Sequence, residues 1–304
     1  MSSAASLNRS AALASIAVAL LLVGMKVWAV FSTASTAMLG SLADTALDLV
    51  ASLATLAGVW VAAQPDDENH RFGHGKAEAL AAMFQVVLIS ISALSLAFRA
   101  VDQWIAGSRP EGAEGGIVVS VIAMVATVAL LAWQRYVIRK TKSLAISTDH
   151  VHYQSDILLN LAVIAALALD QYAGIAGADP FFGLAIALWL GWGAWGASQQ
   201  AIEQLMDHEW PEERRQAFLE AVARHPEIKG LHDLRTRTSG DRDFVQFHLA
   251  INGDMTVRQA HVVMDEVEAI LRKEFPGVEI LIHPDPEGHV DPTDLSSQDL
   301  LAKL

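Results

Sequence analysis

The chain is predicted to fold as an all-α membrane domain of six transmembrane helices followed by a small α+β domain of ferredoxin-like order αββαβ. Three observations predict this. Hydrophobic residues make up 53% of the 304 positions and the mean hydropathy is positive, too apolar for an ordinary soluble protein. The apolar residues fill long blocks in the first two-thirds of the chain, whereas the sequence from about Asp207 onward is rich in Glu, Asp, Arg and His. Two of the apolar blocks are interrupted by ionisable pairs spaced i, i+4: Asp44 with Asp48, and His152 with Asp156.

Runs close to the ~20 residues that cross a hydrocarbon core occur at Ser10 to Phe31, Ala37 to Ala63, Ala79 to Trp104, Gly116 to Val137, Leu144 to Ala168 and Pro180 to Gln200. The first could be read as a signal peptide led by Arg9 and ending in the small residues from Ser32 to Ala37. Its apolar stretch is too long for that, and a second span follows at once. Lys26, near the end of the first run, is expected to snorkel toward an interface. Basic residues set the orientation. Arg9, Arg71, Lys76, Arg135, Arg139, Lys140 and Lys142 fall on one side, and only Arg99 and Arg109 on the other, so both termini are expected in the cytoplasm.

After the spans, helix is expected from about Pro211 to Arg224, strands from Gly230 to Thr238 and Asp243 to Asn252, helix from Thr256 to Phe275, and a last strand from Val278 to Pro284. Val245, Phe247, Leu249 and Ile251 alternate with Gln246, His248 and Ala250, the period of a strand buried on one face. Thr256 is placed to cap its helix and Phe275-Pro276-Gly277 to stop it. The domains are therefore expected at 1–208 (membrane) and 209–290 (cytoplasmic), with a disordered tail at 291–304.

Charge and composition narrow the chemistry. A net charge of -13 argues against nucleic acid, whose phosphates require excess Lys and Arg. With no cysteine, a metal must be held by His, Asp, Glu or backbone oxygen, a donor set that suits zinc and disfavours copper(I). No His-Glu-x-x-His occurs, so a membrane metalloenzyme is disfavoured.

Spacing i, i+4 puts both members of a pair on one helix face. Asp44 and Asp48 on one span, and His152 and Asp156 on another running antiparallel to it, fall at matching depth. They can offer three carboxylates and one imidazole to one tetrahedral cation. Ionisable groups at such depth are expensive and mark ion paths, which makes transport the default reading. A membrane-anchored metal sensor is the rival of another class, but an anchor needs no ionisable groups at mid-depth. Gln154, Ser155 and Asn160 are expected to bond between helices.

The loop after the second span holds His70 and His74, which with a nearby carboxylate could bind a second cation, its glycines letting the backbone fold around it. In the cytoplasmic domain His232, His248, His261 and His283 fall on four different elements. Asp285 lies beyond the last, where it could bridge two metal ions. His150, His208, His225 and His289 show no grouping and are assigned no role.

Asp44-x-x-x-Asp48, the His-Tyr-Gln-Ser-Asp of His152 to Asp156, the Phe-Gly-His-Gly-Lys-Ala-Glu of Phe72 to Glu78 and the His-Asp-Leu-Arg-Thr-Arg of His232 to Arg237 together resemble the cation diffusion facilitators, in particular their bacterial YiiP-like, ferrous-iron-efflux branch. The resemblance runs from about Leu7 to Asp285. It implies a homodimeric zinc/proton antiporter of the bacterial inner membrane, six-spanned, with a regulatory metal-binding cytoplasmic domain. The transport site would fall on Asp44, Asp48, His152 and Asp156, and a loop site on Asp67, His70 and His74. A binuclear cytoplasmic site would use His232, His248, His261, His283 and Asp285, and Lys76 with Asp207 would interlock the two domains. Zn2+ is the expected ion and Cd2+ a plausible second, with an Fe2+-, Co2+- or Cd2+-preferring exporter of the same family as the alternative.

Overall fold

The computed structural model describes residues 3–33, 36–106, 117–173, 178–289 and 300–301. The chain forms two compact units, Met1–Ile202 and Glu203–Leu304, a boundary slightly earlier than the sequence suggests.

The first unit is built from α1 (Ser3–Thr33), α2 (Thr36–Ala62), α3 (Ala77–Ala106), α4 (Ile117–Thr141), α5 (Leu144–Ala173) and α6 (Ala178–Leu205). The sequence predicts six spans; among the described residues, α1, α2, α3, α4 and α6 have the length and apolar composition to cross a membrane. The remaining helix, α5, is 30 residues long and carries Asp149, His150, His152 and Asp156 in its first half.

The helices pack with an inverted polarity. On α3, Leu80, Phe84, Val87, Ile91, Leu94 and Phe98 point outward and are exposed, while Glu78 and Gln85 of the same helix are buried. That distribution suits a lipid surroundings, where apolar side chains face outward and polar groups must find partners inside. One core joins Ala11 and Ala12 of α1, Val59 of α2, Ala81 of α3, Val137 of α4 and Ile146 of α5; another joins Val86 and Ile89 of α3 to Ile186 and Leu190 of α6. Small residues let these backbones approach closely. At Gly58 the approach is limiting, because a Cβ there would collide with Ala81 Cβ and meet the Ala77 carbonyl at 3.0 Å.

Asp149 ties the unit together. Fully buried on α5, its carboxylate accepts from Ser15 Oγ of α1 (2.6 Å), Gln134 Nε2 of α4 (2.8 Å), Gln85 Nε2 of α3 (3.1 Å) and Thr55 Oγ1 of α2 (3.5 Å). A second buried carboxylate, Glu78, accepts from Asn8 Nδ2 of α1 (3.1 Å) and from Ser143 Oγ just before α5.

The second unit has the predicted order: α7 (Glu212–Val222), β1 (Gly230–Ser239), β2 (Arg242–Ile251), α8 (Val257–Glu274) and β3 (Val278–Pro286). β1 and β2 run antiparallel and β2 and β3 parallel, with α8 as the crossover, in sheet order β1-β2-β3. Val245, Phe247, Leu249 and Ile251 are all buried, as their alternation predicts. The first three join a core with Phe218 and Val222 of α7 and Val267 and Leu271 of α8. Thr256 caps α8 through a capping box with Gln259. The helix ends at Phe275, and Gly277 takes φ +85, a left-handed turn open to glycine without strain. Of the tail predicted to be disordered, 291–299 and 302–304 lie outside the described residues. Leu300 and Leu301 do pack against this core, and the Leu300 N–H bonds the Leu231 carbonyl at 2.8 Å.

Candidate metal centres

In the membrane unit α2 and α5 bring Asp48, His152 and Asp156 together, with one potential ligand atom of each within 4.8 Å of the others. His152 Nε2 lies 2.8 Å from Asp48 Oδ1, and both side chains are largely shielded, at 9% and 16% exposure. Asp44, one turn before Asp48, is exposed and outside that trio, but it lines the same cavity of about 580 Å³ as the other three. The four predicted residues thus share a chamber, with three at ligating separation and the fourth at its wall.

The orientation of His152 is set by its neighbours. Tyr153, fully buried, donates its hydroxyl hydrogen to the Ser15 carbonyl (3.2 Å) and accepts from Ser52 Oγ (2.9 Å), which pins the adjacent turn of α5 to α1 and α2. Ser155 and Asn160 are expected to bond between helices. Instead each bonds within α5, to the carbonyls of His152 and Asp156 respectively, because a hydroxyl or short amide reaches the carbonyl three or four residues back.

Lys26 departs from its expected snorkelling. Its half-buried side chain lines the cavity, and its ammonium donates to Thr45 Oγ1 of α2. Three nearby carboxylates outweigh the pull of the interface.

The loop between α2 and α3 folds around Asp67. Its Oδ1 accepts the backbone N–H groups of His70 (2.7 Å) and Asn69 (2.8 Å), which hold this exposed carboxyl below the usual carboxylate range. His70 Nδ1 lies 3.1 Å from Oδ1 and His74 Nε2 3.4 Å from Oδ2, the two rings 4.5 Å apart. Gly73 at φ +77 turns the chain so that both imidazoles face one carboxylate. Asp67, His70 and His74 therefore form a ready-made set of one oxygen and two nitrogen donors.

In the second unit the register aligns three histidines across the sheet: His232 opposite His248, and His248 opposite His283. They occupy the face away from Phe247 and Leu249. Asp285, two residues beyond His283 and so on the same face, is buried among them. Its Oδ2 lies 2.8 Å from His248 Nδ1 and 3.3 Å from His232 Nε2, while its Oδ1 lies 3.3 Å from His283 Nε2. One carboxylate with its two oxygens turned to different imidazoles has the form of a bridge between two cations. His261 is not in this group. It stands 65% exposed on α8 and pairs with Asp265 at 3.2 Å, so a single chain does not bring it to the other ligands.

Several residues of these centres are not assigned in the sequence reading. Asp149 lies at i−3 from His152 and i−7 from Asp156, on the same face of α5, and that stripe is the signal that could have found it. Asp233, at φ +47 where the β1 register shifts between His232 and Arg235, turns a carboxylate to within 3.8 Å of His248 Nε2. A bulge of this kind leaves no mark in the hydrophobic pattern. Of the interlock pair, Lys76 belongs to the first unit, just before α3. Asp207 belongs to the second, at φ +54 and 3.6 Å from Arg237.

A family model described as the cation efflux transmembrane domain matches residues 12–206, and one described as the cation efflux protein cytoplasmic domain matches 210–287. The chain is 43% identical over 276 residues to the cation-efflux pump FieF of Cronobacter sakazakii, covering 91% of this chain and 92% of that protein. It is 42% identical over 282 residues to FieF of Serratia proteamaculans, covering 93% and 94%. A solved structure of CzrB in its zinc form is 41% identical, covers 28% of this chain and 98% of its own, and superposes with a TM-score of 0.25.

Proposed function

The chain belongs to the cation efflux family, the cation diffusion facilitators, and from that premise we propose that it is a homodimeric antiporter of a bacterial inner membrane, exporting Zn2+ in exchange for protons. The observation that carries this reading is the convergence of Asp48, His152 and Asp156 on one cavity inside a helical membrane domain, with Asp44 at its wall.

Carboxylate and imidazole ligands must shed protons to hold a metal, so cation arrival from the cytoplasm releases protons and proton return from outside displaces the cation. An imidazole, with an ordinary pKa of ~6.5, makes such an exchange responsive to modest pH differences. Two or three oxygens with one nitrogen at near-tetrahedral count favour zinc, while manganese prefers oxygen-rich octahedra. Both termini are assigned to the cytoplasm by the bias of basic loops.

The cluster of His232, His248, His283 and Asp285 is a binuclear regulatory site, and Asp67, His70 and His74 are a loop site. Metal bridging several elements couples occupancy to the order of the domain. The family model matched by the second domain is named for a dimer, which supports the homodimer.

The reading is tested with purified chain in proteoliposomes. Zn2+ flux is expected to rise several-fold when the trans side is made acidic, and flux indifferent to the imposed gradient rejects proton coupling. Selectivity is tested at His152. His152→Asp replaces the nitrogen donor by oxygen and is expected to raise the Cd2+ to Zn2+ rate ratio several-fold. An unchanged ratio contradicts the ligand assignment.

A further inference from the structure

A positive charge stands inside the chamber that holds the carboxylates. Lys26, reaching in from α1, is fastened to Thr45, a residue 2% exposed and next to Asp44 on α2. Lys26 lines the cavity shared by Asp44, Asp48, His152 and Asp156, so its ammonium stands in the field of their carboxylates. An ammonium has three donors and no lone pair, so it cannot ligate a cation. Beside one, it repels.

We propose that Lys26 sets how tightly the transport site holds its cation: its ammonium, a positive charge fastened inside the chamber, loosens the hold on a bound divalent ion. This rests on the transport reading above. Asp44, Asp48 and Asp156 supply the attraction for the ion, and a cationic side chain bonded to Thr45 beside them offsets part of it without taking a ligand position. Without Lys26 a bound divalent ion would meet a stronger negative field and leave slowly. Conduction across a membrane needs binding favourable enough to enter and weak enough to leave. Arg99 also lines the cavity, from the later part of α3, and serves as the comparison.

The test is Zn2+ flux in proteoliposomes of the full chain. Lys26→Met is expected to lower KM roughly tenfold and to lower kcat with it, since removing a like charge near the ion strengthens retention. Lys26→Gln keeps an amide that can bond Thr45 but carries no charge, and is expected to behave as Lys26→Met. Lys26→Arg restores the parent values. If Lys26 only braced α1 against α2, Gln would rescue and KM would not fall, and either result overturns the inference. Equal tightening in Arg99→Met would assign the effect to the cavity as a whole and also overturn it. A parent that moves no Zn2+ sinks the transport reading and this inference with it, whereas a transporting parent beside a Lys26→Met of unchanged KM sinks the lysine's role alone.

Discussion

Asp48→Ala is expected to abolish Zn2+ flux, by roughly a hundredfold or more, while the protein still inserts and purifies as the parent does. Changes that only misplace a ligand cost about 10–100-fold in metal affinity or activity, and this one deletes the ligand. Asp48 is also the partner of His152 at 2.8 Å, so its loss frees the imidazole to rotate out of the chamber. The fold should survive, because the fastenings of α2 lie elsewhere, in Ser52 and Thr55 and in Gly58 against Ala81. Flux above a tenth of the parent's, at equal protein, would remove Asp48 from the transport site. The same variant separates a transporter from an anchored sensor, since a sensor's metal binding in the second unit does not depend on Asp48.

Legibility in the sequence tracks the range of the signal. The six helices and the αββαβ order could be read because apolar runs and a period of two are local; ends match to a residue at α2 and β2, whereas α1 starts seven residues before its expected Ser10 and α5 and α6 each run five residues past their expected ends. Asp44 with Asp48 and His152 with Asp156 were legible because i, i+4 spacing is itself a geometric statement. Where the result depended on which partner came near, local pattern failed. Lys26 reads as an interfacial lysine until three carboxylates are placed opposite it. His261 reads as a fourth ligand until α8 turns it outward beside Asp265. The bulge that aims Asp233 exists only in the pairing of β1 with β2.

The Asp149 hub was the least legible of all, because Ser15, Thr55, Gln85 and Gln134 sit on four separate helices and are unremarkable on each. Asp149→Ala is expected to lower the melting temperature of the detergent-solubilised protein by about 5–10 °C, corresponding to about 2–4 kcal/mol. Hydrogen bonds between membrane helices contribute on average ~0.6 kcal/mol and at most ~1.7, and four converge here. The loss is not the full sum. Ser15 and Thr55 can fall back on the carbonyls of Ala11 and Ala51, within reach at 3.2 and 3.1 Å. Gln85 and Gln134 have no equal substitute for the carboxylate: their amide nitrogens are left with the hydroxyls of Thr55 and Ser15, and Gln134 Oε1 with His150 Nδ1. Asp149→Asn keeps the shape and one oxygen, and should fall between parent and alanine. Because His152 lies one turn further along α5, the alanine variant should also transport more slowly, with the deficit larger at higher temperature as α5 loosens. A melting temperature within a degree of the parent's would show that the five helices hold together without this carboxylate.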